Sequence, residues 1–69
     1  MPEGVIIEFD SRSGRGKIES WDDDKTYPFD RNSISDPLLK NLAHEGQEVR
    51  FGIVKNPRGD RAFQVARLG

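Results

Sequence analysis

The chain contains no cysteine and only one histidine, His44. Disulfides and thiolate metal sites are therefore excluded, and any metal site would depend on carboxylates. No nucleophile, base or metal-ligand set is spaced in a way typical of catalysis, so we expect neither an enzyme nor a bound cofactor. A chain without cysteine is compatible with a reducing compartment.

Long apolar runs and an excess of positive charge are also missing. No stretch approaches the roughly 20 residues that span a bilayer, and no charged-then-apolar leader resembles a signal peptide. We therefore expect a cytoplasmic protein without a membrane partner. Lys and Arg number 11 against 12 Asp and Glu, giving a net charge of −1. A dedicated non-specific nucleic-acid binder is usually strongly basic, so any basic surface here must come from uneven placement of charge.

Short apolar runs separated by turn residues are what the sequence does contain, and they predict one small all-β domain over residues 1–69. Asn56–Asp60 is a strong turn signature because Pro57 presets φ and Gly59 permits a positive value. The predicted strands are Val5–Phe9, Arg15–Glu19, Lys25–Phe29, Glu48–Ile53 and Arg61–Leu68.

Alternation within these strands predicts which side chains face the core. In the second strand Gly16 and Ile18 face inward, and the polar side chains face solvent. The buried parity of the first strand stays open, because both Ile6 and Ile7 are apolar. In the fifth strand Phe63 and Val65 share a parity, which predicts that they lie on the same face.

One helical signal interrupts the strands. Asp36 suits an N-cap, Pro37 suits the first helical position, and Leu38, Leu39 and Leu42 supply a short apolar face. We expect one or two turns ending near Asn41. Five short strands with a helical turn between the third and fourth predict a five-stranded antiparallel OB-fold barrel.

The motifs of the chain are similar in order and register to those of the bacterial cold-shock protein family. That family reads G-x-V-K-W-F-N, K-G-F-G-F-I, V-F-V-H-F-S-A-I, E-G-Q-x-V-x-F and G-P-x-A-x-x-V-x-x-L. The corresponding segments here are Gly4–Asp10, Ser13–Ile18, Tyr27–Ile34, Glu45–Phe51 and Gly59–Leu68. The resemblance covers nearly the whole chain and implies an OB-fold that binds single-stranded RNA or DNA by stacking bases on exposed aromatic rings.

The aromatic platform itself has been largely replaced by charge. Of the platform region only Phe9 persists; it is a candidate nucleic-acid-binding residue and is also interpreted as partly a core residue. Because each stacked base contributes about 1–3 kcal/mol, the resemblance implies a divergent member whose binding is weak and salt-sensitive. The positions that lack the family's ring are Glu8, Arg15, Lys17, Pro28, Asp30 and Arg31.

The replacement cations are the candidate binding residues. Arg15, Lys17 and Arg31, helped by Arg12, would form a phosphate-contacting stripe, and guanidinium groups can also stack on bases. The alternative is a solvated lattice of salt bridges. If Ser11–Gly14 is the hairpin loop, the partners across the strands are Asp10 for Arg15 and Glu8 for Lys17, with Asp30 near Arg15.

A second basic group surrounds the predicted turn at Asn56–Asp60. It consists of Lys55, Arg58 and Arg61. Arg58 and Arg61 of this group are further candidate nucleic-acid-binding residues. The alternative is an ordinary polar hairpin tip.

Trp21 has three open interpretations: a cap on the core, a displaced stacking group, or an anchor for a protein partner, since Trp is enriched at interface hot spots. The following Asp22–Asp24 lacks the spacing of a calcium loop and is interpreted as an acidic turn. The leading hypothesis is a single-stranded nucleic-acid-binding module, and the alternative is a protein-interaction barrel. Edge strands leave both a monomer and a dimer open.

Overall fold

The computed structural model describes residues 1–69 and confirms an all-β chain with five strands and one short helix. A 3-10 turn, Arg31–Ser33, and the helix α1, Pro37–Leu42, lie between the third and fourth strands. The strands are β1 Glu3–Asp10, β2 Arg15–Ser20, β3 Thr26–Asp30, β4 Glu48–Val54 and β5 Arg61–Arg67.

No helix in the structure is both long and apolar enough to cross a membrane.

The strands form one antiparallel sheet in the order β3-β2-β1-β4-β5. The segment after the 3-10 turn meets β5: Ile34 and Val65 form an isolated parallel bridge, and the Ser35 backbone N–H donates to the Val65 carbonyl at 2.9 Å. Asp30 at the end of β3 also pairs with Arg61 at the start of β5, so the two edge strands approach each other. No strand ladder joins β3 to β5, so the sheet curls without being closed. The prediction of five antiparallel strands is confirmed, whereas the predicted closure into a barrel is not reached.

Strand β2 follows the alternation predicted for it. Gly16 and Ile18 are buried, and Arg15, Lys17 and Glu19 are exposed. The inward side chains join a core contributed by every strand and by α1. Its buried hydrophobic members are Ile6, Ile18, Tyr27, Phe29, Ile34, Leu39, Val49, Phe51, Ala62 and Val65.

A bulge resolves the ambiguous parity of β1. The register against β2 shifts between Ile6 and Glu8, so Ile6 is buried while Ile7 is 43% exposed. Beyond the bulge the inward parity changes, and Phe9 packs against the core. The extra residue of a bulge is left out of the ladder and reverses the faces beyond it.

A second bulge makes the parity prediction for β5 wrong. The register between β4 and β5 shifts between Arg50 and Gly52, and Gln64 has a φ of 50°. Val65 is therefore buried while Phe63 is exposed. Strict alternation placed these two side chains on one face, but a bulge between them puts them on opposite faces.

Asp36 begins α1 as predicted, and its carboxylate accepts the Leu38 N–H at 3.1 Å. The helix ends at Leu42, and only Leu39 of its apolar residues is buried. Asp36 also accepts from Arg67, at 2.5 Å from Nε, which ties the helix to the end of β5. The hydrogen bond from Arg67 lowers the pKa of Asp36 to about 2.

Candidate nucleic-acid interface

Arg15 and Lys17 project from the outer face of β2 with the cross-strand neighbours that the sequence predicted. Arg15 lies opposite Asp10 on β1 and Asp30 on β3. Lys17 lies opposite Glu8 on β1 and Pro28 on β3. The register of the candidate face is therefore confirmed.

The predicted lattice of salt bridges does not form around these two cations. Three ion pairs occur in the protein: Lys55–Asp60 at 3.0 Å, Arg61–Asp30 at 3.5 Å and Arg67–Asp36 at 2.5 Å. Arg15 and Lys17 take part in none of them. The cross-strand carboxylates are close along the backbone, yet the two cations remain exposed and without an ion pair.

The neighbouring aspartates are engaged by other donors. The Asp10 carboxylate accepts the N–H groups of Arg12 and Ser13 at 2.8 and 3.4 Å, which shapes the β1–β2 loop. The Asp30 carboxylate caps the 3-10 turn by accepting the Ser33 N–H at 3.1 Å. Part of the negative charge on this face is thus directed toward backbone dipoles, which leaves the cations available to an added anion.

Two shallow depressions cover this face and share Pro28 and Arg61. The first extends over Arg15 and Lys17, and the second extends to Arg58 in the β4–β5 turn. We call the combined surface, defined by Arg15, Lys17, Pro28, Arg58 and Arg61, the basic groove. The sequence analysis identified the cations of β2 and those of the β4–β5 turn as two separate groups. In the structure they share one surface, because the curled sheet brings the start of β5 beside β3.

The basic groove contains unpaired and paired cations. Arg58 is exposed and makes no ion pair. Its backbone N–H donates to Asn56 Oδ1 at 3.0 Å, which leaves the guanidinium free. Arg61 pairs with Asp30 at the junction of the two depressions. Acidic residues remain along its walls, among them Glu8 and Asp60. The surface is therefore mixed in charge: Arg15, Lys17 and Arg58 make no ion pair, and neither do the carboxylates Glu8 and Asp10.

Arg31 and Phe9, two of the predicted site residues, lie together beside the β1–β2 loop. Neither of them lines the basic groove. Arg31 donates from Nη2 to the Ser11 carbonyl at 2.9 Å, and its guanidinium carbon lies 5.8 Å from the Phe9 ring centroid. Phe9 also stacks on Phe29, with centroids 6.0 Å apart and an interplanar angle of 15°. Arg12 is exposed in the same loop. Phe9 is therefore a half-buried ring covered by Arg31.

Lys55, named in the sequence with Arg58 and Arg61, is occupied within the β4–β5 turn. Its ammonium group donates to Asp60 at 3.0 Å. This hydrogen bond lowers the pKa of the Asp60 carboxyl. Lys55 thus neutralises an acidic neighbour of the basic groove and is less available to a phosphate than Arg58.

Trp21 is 46% exposed and does not cap the core, so that interpretation is wrong. Trp21 directly follows β2, at the end of the strand remote from Arg15. Its backbone N–H donates to the Glu3 carbonyl at 2.9 Å. Nearby, the Tyr27 hydroxyl donates to Asp23 at 2.5 Å. That hydrogen bond raises the pKa of Tyr27 to about 12 and lowers the pKa of Asp23. One aspartate of the acidic turn therefore has a structural partner.

Comparison with protein-family models finds no family that matches this chain, and comparison with curated proteins finds no matching sequence. No group of three or more His, Cys, Asp or Glu residues is arranged to hold a metal ion.

Proposed function

We propose that this protein is a single-stranded nucleic-acid-binding module of the cold-shock type, whose curled five-stranded sheet is a partly open barrel of the OB-fold kind. The observation that carries the proposal is the pair of outward-facing, unpaired cations Arg15 and Lys17 in one continuous surface with Arg58 and Arg61. Oligonucleotide-binding barrels use this strand face and the adjoining loops.

Electrostatics supplies most of the affinity in this proposal. Lys and Arg side chains that neutralise phosphates release condensed counterions, which makes binding strongly dependent on salt. Stacking contributes less, because the Phe9 ring is already engaged by Arg31 and Phe29. Glu8 and Asp30 lie on the same face and oppose phosphates. The expected complex is therefore weak and salt-sensitive.

The test is a titration with mixed-sequence single-stranded oligonucleotides, RNA and DNA in parallel, at low and moderate salt. The double variant Arg15→Gln, Lys17→Gln should weaken binding and flatten the salt dependence, with the slope reduced by about 0.7 for each phosphate that is no longer neutralised. Lys40→Gln is the matched control, because Lys40 is an exposed cation on α1 away from the basic groove. It should leave both affinity and slope unchanged.

Failure of the wild-type protein to bind a mixed-sequence single strand at low salt would rule the proposal out. An equal reduction of log affinity per charge removed in the double variant and in Lys40→Gln would show attraction by overall charge alone, which would also contradict a site at Arg15 and Lys17.

A protein-interaction module is the second candidate, and the exposure of Trp21 favours it. A large half-exposed aromatic is typical of interface anchors. If Trp21 anchors a partner protein, Trp21→Ala should weaken capture of that partner. Added oligonucleotide should leave the tryptophan fluorescence unchanged, and this signal comes from Trp21 alone because the chain has one tryptophan.

A further inference from the structure

Phe63 is an aromatic ring fixed on the outer face of β5, and its role extends the function proposed above. The ring is 38% exposed and lies directly opposite Gly52 on β4. A Cβ built on Gly52 would lie 2.3 Å from Cε1 of the ring, so the ring rests on the glycine backbone. Gly52 is buried as a result. One side of the ring is therefore held by the sheet, and the remaining surface is open to solvent.

The ring lies next to the basic groove. Arg61 precedes Phe63 by two residues on β5, ahead of the bulge at Gln64, so both side chains project from the same face. Arg61 is also the residue at which the two depressions of the basic groove meet. The backbone positions of Phe63 and Arg61 are thus one strand repeat, about 7 Å, apart.

Covering a glycine is the alternative role of this ring, since an aromatic residue commonly shields a glycine on the neighbouring strand. Leucine would provide apolar cover as well, but it offers no flat π-surface. Arg58 makes no ion pair, and Arg61 is paired with Asp30 at 3.5 Å, a distance that leaves its guanidinium open to a further anion. A nucleotide combines a flat base with a phosphate. Charge complementarity therefore identifies a single nucleic-acid strand as the occupant.

We propose that Phe63 stacks on a base of a bound single strand while Arg61 contacts a phosphate beside that base. This inference rests on the proposed function and adds a base-contacting residue on the β4–β5 hairpin, outside β1, β2 and β3. It also explains how a chain whose platform has become charged retains one ring that rests on the sheet on one side and is accessible on the other.

The experiment compares binding of a mixed-sequence single-stranded DNA with binding of an abasic deoxyribose-phosphate chain of the same length. Phe63→Leu should weaken binding to the base-containing strand by about fivefold or more and leave binding to the abasic chain within about twofold. Phe63→Tyr, which keeps the ring, should retain wild-type affinity for both. Val54→Ala is the control, because Val54 is an exposed apolar residue opposite Arg61 on the same hairpin.

Equal affinity of Phe63→Leu and wild type for the base-containing strand would overturn the stacking role while leaving the proposed function intact. An equal reduction for Val54→Ala would overturn it too, because apolar contact rather than stacking would explain the effect. If the wild type binds neither strand at low salt, the proposed function itself fails. An amide-shift map of the wild type, which no folding defect of a variant can affect, should show Gly52 and Phe63 shifting with the base-containing strand only.

Discussion

Two glycine–phenylalanine pairs, one in the β2–β3 hairpin and one in the β4–β5 hairpin, face opposite sides of the sheet. Gly16 lies opposite Phe29, and Gly52 lies opposite Phe63. In each pair a Cβ on the glycine would approach Cε1 of the ring, at 2.8 Å for Phe29 and 2.3 Å for Phe63. Phe29 is 1% exposed and Phe63 is 38% exposed. The same local arrangement therefore builds the core in one hairpin and a surface ring in the other.

The surroundings of the two glycines explain the difference. A Cβ on Gly16 would also lie 2.5 Å from the Glu8 carbonyl oxygen, which is backbone and cannot turn away. The nearest atoms to Gly52 all belong to the Phe63 ring. The inner pair is thus locked by neighbouring backbone and by the core, whereas the outer pair depends on one movable side chain. Stability should reside in the first pair and accessibility in the second.

Removing each phenylalanine ring should give the largest difference in the free energy of unfolding between the two pairs. Phe29→Ala deletes a fully buried ring and should lower the free energy of unfolding by about 3–5 kcal/mol, enough to unfold much of a small domain. Phe63→Ala should cost about 1–2 kcal/mol, because the ring is already partly exposed. Urea unfolding followed by Trp21 fluorescence measures both. Similar destabilisation in the two variants would contradict the distinction between core ring and surface ring.

Filling the glycines should give the next largest contrast. Gly16→Ala places a methyl group against fixed backbone and the packed Phe29 ring, and should cost about 1–3 kcal/mol. In Gly52→Ala the three atoms nearest to the added methyl group belong to the Phe63 ring, which can swing into solvent, so the destabilisation should stay below about 1 kcal/mol. Urea denaturation again supplies the comparison. A larger destabilisation for Gly52→Ala would show that the outer ring is as firmly held as the inner one.

The regular parts of this comparison could be predicted from the sequence. Alternation in β2 places Gly16 and Ile18 inside and Arg15 and Lys17 outside, and the loop length sets Asp10 opposite Arg15. These features depend on local periodicity and hairpin register, which short segments carry by themselves.

The bulges, the ion pairing and the proximity of the two basic groups could not be predicted in the same way. The bulge at Gln64 depends on how β5 meets its neighbours, and a single unpaired residue leaves little trace in a pattern of period two. The absence of ion pairs at Arg15 reflects backbone N–H groups that compete for Asp10. The meeting of Arg61 with Asp30 follows from the curl of the whole sheet.

Alkaline pH should destabilise the β2–β3 hairpin, which holds the buried Phe29 ring, because Tyr27 lies on the same strand as Phe29. The hydrogen bond to Asp23 raises the pKa of Tyr27 from 10.0 to about 12. A raised folded-state pKa contributes stability that is complete below pH 10 and is lost as the pH rises to about 12. Ultraviolet titration of phenolate reports this residue alone, since the chain has one tyrosine. Asp23→Asn should move the titration back toward 10.0, and an unchanged titration would contradict the hydrogen bond.

The smallest expected effect on stability comes from Gln64, the residue of the β5 bulge that lies between the outward-facing Phe63 and the inward-facing Val65. Gln64 has a φ of 50°, a left-handed conformation that asparagine tolerates better than glutamine and that β-branched residues resist. Gln64→Asn should therefore stabilise the protein by a few tenths of a kcal/mol, and Gln64→Val should cost about 1 kcal/mol. Because this bulge allows Phe63 to face outward while Val65 faces inward, stabilisation by valine in urea unfolding would indicate a regular strand. The outer ring would then lose the backbone feature that separates it from the core.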